Sequence, residues 1–207
     1  MSVPAAKRDA GAALLLTLLV TVLLAALGRG LITLGDTEAA LAHNHLAAAE
    51  VRYAADAALE RALGEIGNVA SWTDLLTGLR RSPLYASSTT PAMPWGTPLD
   101  IAALTTEVQG ESDAVAVWGL NNPSWRVYAS GSLDAAAGRM LPAAAAYLVV
   151  WVADDPSETD NNSAADTNGI VLLHGLAVNA PGMRSVAQVT AQRTGGVIRI
   201  LAWRRVR

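Results

Sequence analysis

The densest set of chemically capable side chains lies in the stretch DDPSETDNNSAADTN, Asp154 to Asn168. Asp154, Asp155, Glu158, Asp160, Asn162 and Asp166 offer carboxylate and amide oxygens. Such hard donors suit calcium, which takes roughly 6–8 oxygen ligands. The spacing is not that of an EF-hand, because no glycine stands at its sixth position and no glutamate at its twelfth. Asx-rich segments also form solvated turns, since Asp and Asn side chains bond the backbone just ahead of them. Both readings stay open at this stage.

Other chemistry is sparse. His43 and His45 are two residues apart in a helical segment, so they point away from each other and cannot share a metal. His174 falls within an apolar strand and reads as a core histidine. The chain lacks G-x-S-x-G, P-loop and H-E-x-x-H patterns. It has no cysteine, which excludes disulfides, thiolate metal sites and cysteine nucleophiles. An enzyme is therefore not expected. The net charge of -3 gives no basic field for nucleic acid. Six tryptophans and no phenylalanine fit core packing better than a platform for stacking bases. Arg199, Arg204, Arg205 and Arg207 make the last strand basic. They could meet an acidic partner or phosphate, or guard an exposed sheet edge.

Elements that could position these groups follow from periodicity. Alternating, β-branched runs predict strands at Asp113–Gly119, Trp125–Ser130, Ala146–Asp154, Gly169–Val178, Arg184–Arg193 and Gly196–Val206. Thr194-Gly195-Gly196 predicts a hairpin, and Ser130-Gly131-Ser132 reads as a turn. Within Arg184–Arg193, Ser185, Ala187, Val189 and Ala191 share the face expected to point inward. With no crossover helices between strands, the sheet should be mainly antiparallel. Trp72–Leu79 suggests a short helix with Ser71 as N-cap, Asp100–Val108 a helical turn, and the proline-rich stretch between them an irregular connection.

The N-terminus carries the strongest signal. Lys7 and Arg8 precede an uncharged run, Ala10–Gly28, close to the roughly 20 apolar residues that cross a bilayer. Leu14, Leu15, Leu16, Leu18, Leu19, Val20, Val22, Leu23 and Leu24 would face lipid. Basic residues on the short side keep that side cytoplasmic and place the rest outside. Three processing schemes fit: an uncleaved signal anchor, a secretory peptide cut near Ala26-Leu27-Gly28, or a prepilin-type leader cut after Gly11. From Asp36 the sequence continues as a helix former. Val51, Ala54, Ala55, Ala58, Leu59, Ala62, Leu63 and Ile66 recur on one face, and Arg61 and Glu65 can pair. The organisation expected is a leader at 1–11, a membrane segment at 12–35, an amphipathic continuation at 36–66 and an extracytoplasmic domain at 67–207. A long helix packed on an antiparallel sheet is an α+β layout.

Three stretches, KRDAGAALLLTLLVTVLLAAL (Lys7–Leu27), TEAALAHNHLAAAEVRYAADAALERAL (Thr37–Leu63) and SWTDLL (Ser71–Leu76), together resemble type IV pilus assembly proteins of the PilX N-terminal type. The resemblance covers about the first 76 residues. It implies a pilin-like fold and cleavage by a prepilin peptidase after Gly11, with Ala12 as the methylated N-terminus. It also implies partners: membrane lipid, other pilin-like subunits and an inner-membrane assembly platform. Major pilins carry phenylalanine at the first mature position and glutamate at the fifth; here these are Ala12 and Leu16. Leu16 cannot pair with a neighbour's terminal amine, which suits a minor, priming or tip subunit of a type IV pilus or type II secretion pseudopilus, or a protein outside any filament. The expected location is the inner membrane, single-pass, with the C-terminal domain periplasmic or on a surface filament. The alternative is a signal-anchored binding module, an adhesin or sensor.

Overall fold

The structure, a computed structural model, describes residues 6–206 apart from 92, 94, 97, 116, 134–145 and 181, with side chains from Gly11 onward. It divides into two units, Met1–Leu46 and Ala47–Arg207. One helix, α1 (Ala6–Ile66), contributes to both. It contains no proline, is rich in alanine and leucine, and passes Gly28, Gly30 and Gly35 without a break.

In the first unit the apolar side chains of α1 are open, Leu14 being 73 % exposed. The hydroxyls of Thr17 and Thr21 donate to the carbonyls of Leu14 and Leu18 at 2.9 and 2.8 Å, so neither needs water. The segment from Gly11 is long and apolar enough to cross a membrane.

In the second unit burial begins at Ala47, 6 % exposed. The whole predicted face from Val51 to Ile66 is buried, and each large aliphatic on it contributes about 1.5–3 kcal/mol. Arg61 Nε meets Glu65 Oε1 at 2.8 Å at the flank of this face, where Tyr128 OH donates to Glu65 Oε2 at 3.3 Å. The helix ends where Trp72 Nε1 donates to the Ile66 carbonyl at 3.0 Å, which satisfies one of the orphan acceptors of the last turn.

The sheet is a five-stranded antiparallel meander in chain order. Its strands are β1 (Arg126–Ser132), β2 (Tyr147–Asp154), β3 (Ile170–Val178), β4 (Arg184–Thr194) and β5 (Val197–Val206). Gly195 and Gly196, at φ 60° and 81°, form the two-residue hairpin turn between β4 and β5. Leu148, Val150 and Val152 of β2, with Val171, Leu173, Ala187, Val189 and Ala191, pack with α1 in one core. Ser185, expected on this inward face, is only half-buried. Tyr147, Val149, Trp151 and Ala153 pack on the other side, in a second core with Ile101, Leu104 and Val108 of α3 (Ile101–Asp113). β2 is therefore buried on both faces. The arrangement is α+β, a long N-terminal helix on an antiparallel sheet.

Several expectations need correction. Asp113–Gly119 holds no strand among its described residues. Asp113 ends α3, whose first turn is capped by Asp100 accepting from Ala103 N at 2.9 Å. Val117 is 74 % exposed. Ser130-Gly131-Ser132 is not a turn but the end of β1. Its glycine is there because a Cβ would come within 2.8 Å of Leu84 Cδ1. The second helix shrinks to α2 (Thr73–Leu76), with Trp72 and not Ser71 at the N-cap position. The connection before α3 does more than link elements. Ser82 N and Ala86 N donate to the carbonyls of Tyr128 and Ser130 at 3.0 and 2.9 Å, covering the outer edge of β1.

Candidate functional site

Residue parity along β2 carries Asp154 onto the α1 face, in line with Leu148, Val150 and Val152. There it is 2 % exposed, and its Oδ1 has no hydrogen-bond partner. The loop that follows is organised around Glu158. Glu158 Oε1 accepts from Thr167 N and Asn168 N at 3.0 and 2.9 Å, and Oε2 accepts from Thr167 Oγ1 at 2.7 Å. Asn121 Nδ2 donates to the Glu158 carbonyl. Asp166 Oδ1 accepts from Gly169 N at 2.8 Å, and Asp166 N donates to Thr73 Oγ1 at 3.2 Å, tying the loop to α2. Gly169, at φ 73°, permits this return; a Cβ there would stand 2.9 Å from the Arg193 carbonyl oxygen.

These bonds gather one carboxylate oxygen from each of Asp154, Glu158 and Asp166 within 4.8 Å of the others. The local field is strongly negative. Burial, then the Glu158 charge, push the Asp154 carboxyl up to about 7. Burial also raises Asp166, while the Gly169 N–H and Arg193 pull it back. Of the six residues proposed as oxygen donors, three converge. Asp155 Oδ2 instead accepts from Ser157 Oγ and, at 3.2 Å, from Asn168 Nδ2. Asp160 Oδ1 accepts from Asn162 N at 3.1 Å and Asn162 Oδ1 from Ala164 N at 3.2 Å, as Asx turns do.

The opposite face of the sheet holds a feature the sequence did not reveal. Strand register aligns Trp151, His174, Gln188 and Arg204 in one row across β2 to β5. His174 lies edge-on to Trp125 and Trp151, with ring centroids 5.5 and 5.7 Å away. Burial, then Arg204, lower its pKa to about 4. Arg204 Nε and Nη2 donate to Gln188 Oε1 at 3.1 and 2.5 Å. Trp118, Trp125, His174, Gln188, Arg204 and Glu111 help line a cavity of about 470 Å³. The signal for this row was the register fixed by the Gly195-Gly196 hairpin, but a bulge between Thr190 and Ala191 offsets it.

At the N-terminus, Gly11 is helical, and a Cβ there would meet nothing within 4 Å. Ala12 and the predicted lipid-facing residues from Leu14 to Leu24 are all exposed. Arg199 is exposed on β5, Arg205 pairs with Asp56 of α1, and Arg207 lies outside the described residues.

Comparison with family models, with functionally described proteins and with solved structures finds no match for this chain. What fold and site define is an α+β domain following an N-terminal helix capable of spanning a membrane.

Proposed function

We propose that this chain is a pilin-like structural subunit anchored in the inner membrane, a minor, priming or tip component of a type IV pilus or type II secretion pseudopilus. One observation carries the reading. A single helix keeps its apolar side chains open before Ala47 and buries one face against a sheet after it. An anchor that only tethers needs no such continuation. A helix that is both membrane segment and domain core can pack beside identical or related helices while presenting a folded head. Lys7 and Arg8 orient the head away from the cytoplasm. Leu16 removes the carboxylate that a repeating subunit would use against its neighbour's amine, which favours a position without a subunit ahead of it.

The mature N-terminus tests this reading. Protein extracted from membranes of cells with a prepilin peptidase should begin at Ala12 and carry an N-methyl group. A Gly11→Glu variant should stay uncut. A mature protein starting near Arg29 would overturn the assignment and leave a secreted protein.

The cavity beside His174 and Arg204 favours a second reading, a signal-anchored binding module. An uncut chain would support it, together with a small anion or aromatic ligand that quenches tryptophan fluorescence in the wild type and not in Arg204→Ala.

A further inference from the structure

We propose that Asp154, Glu158 and Asp166 bind one calcium ion between the end of β2 and the start of β3. The site does not depend on the filament reading. Acidic residues in a loop are by themselves ordinary, and Glu158 and Asp166 have turn-making bonds to explain them. Asp154 does not. It belongs to the strand, not to the loop, and is 2 % exposed on the face that otherwise carries Leu148, Val150 and Val152. Its Oδ1 has no donor, although a buried carboxylate without one is costly. A second buried oxygen without a partner, Asn121 Oδ1, belongs to the residue that holds the Glu158 carbonyl.

No arginine or lysine among the described residues forms an ion pair with any of the three carboxylates. Arg193 is the nearby cation, but its guanidinium lies 4.7 Å over the Trp72 ring and donates to the Val69 carbonyl. A metal ion would supply the missing charge. Oxygens on opposite sides of a calcium ion are about 5 Å apart; the three here lie within 4.8 Å of one another. Magnesium demands near-octahedral ligands and gives up water reluctantly. Calcium accepts irregular oxygen sets, such as carboxylates already committed in part to backbone N–H groups. Bound there, the ion would join β2, the β2–β3 loop and, through Asp166 and Thr73, α2.

The test uses the full chain in detergent, stripped with a chelator and dialysed. Calorimetric titration with calcium chloride should give one site per chain, and the melting temperature should rise with calcium more than with magnesium. Asp154→Asn should lose at least the roughly tenfold in calcium affinity that even an outer-shell change costs at a metal site. It should also melt no lower than the chelated wild type, because a neutral amide removes a buried negative charge. That second measurement separates loss of the site from loss of the fold. Asp160→Asn, outside the trio, should keep the stoichiometry. The proposal is overturned if millimolar calcium gives neither heat nor a melting shift in the wild type, which would leave a proton shared among the carboxylates. It is equally overturned if magnesium binds more tightly, if Asp154→Asn binds as the wild type does, or if Asp160→Asn abolishes binding.

Discussion

Leu59 of α1 rests on Gly175 of β3 so closely that a Cβ on the glycine would stand 2.7 Å from Leu59 Cγ. Leu59 is fully buried, so it has no free volume into which to retreat. Gly175→Ala should therefore destabilise the domain by about 1–3 kcal/mol through overpacking. Leu59→Ala should cost about 2–5 kcal/mol through the cavity it leaves. The double variant should cost less than the two effects added, because each change relieves the other. Denaturant unfolding followed by tryptophan fluorescence measures all three. Additive effects would mean that the two residues do not touch.

A second contact joins the helix to the last strand. Arg205 pairs with Asp56 and also donates to the Arg52 carbonyl at 3.2 Å. The other Asp56 oxygen is buried without a partner, so the carboxylate depends on this arginine. Arg205→Met should lower stability by about 1–2 kcal/mol. Pairing it with Asp56→Leu should recover most of the loss, as expected when the penalty is an uncompensated charge. Melting temperatures of the two variants in the same detergent decide this.

His174 gives the domain a pH dependence of defined sign. Its pKa in the folded chain is lowered to about 4 from 6.5, so the unfolded chain binds the proton more readily. The stability it contributes is complete above pH 6.5 and is lost as pH falls through about 4, on the order of 3 kcal/mol in total. Arg204 opposes protonation, while Glu111 and Asp155 line the same cavity with the opposite sign. Asp154, raised to about 7, contributes with the opposite sign over the same range, so the difference between variant and wild type is what His174 sets: the stability of His174→Leu relative to the wild type should rise as pH falls from 6.5 to 4. An unchanged difference would place the proton uptake elsewhere.

The open apolar stretch of α1 makes a prediction about partitioning. Leu19→Arg puts a charge into the middle of the span, at a cost of about 2.5–3.5 kcal/mol by insertion scales. The wild type should remain in the membrane pellet after alkaline carbonate extraction, and the variant should shift to the supernatant. Equal retention of both would remove Leu19 from the hydrocarbon region.

Much of this architecture could be read from residue order because local pattern and tertiary packing agree. The buried face of α1 repeats with helical period from Val51 to Ile66, and β2 to β5 are short runs bounded by Gly, Asn or Asp. Asp113–Gly119 misled because D-A-V-A-V alternates like a strand, while Asp113 ends α3 and Ala114 N and Val115 N bond back to the carbonyls of Gly110 and Ser112. Gly131 misled for a different reason: its small size makes room for Leu84, a residue far away in sequence. The acidic loop was visible as composition. Which oxygens converge was not, because that depends on the parity of Asp154 along β2 and on where Glu158 finds its donors. The Trp151–His174–Gln188–Arg204 row is likewise non-local, set by register across strands and shifted by a bulge.

The meander has a temporal consequence. Because α1 precedes every strand, the residues from Val51 to Ile66 leave the ribosome before any of the surface that will cover them, from Leu148 of β2 to Ala191 of β4. During synthesis this apolar face waits with nothing to bury it. The sheet, built from sequential neighbours, can zip together strand by strand as it emerges. Completion of the head then hinges on the arrival of β4 and β5, so a ribosome stalled before the Gly195-Gly196 turn would leave the sheet short of its last strand and the helix face only partly covered.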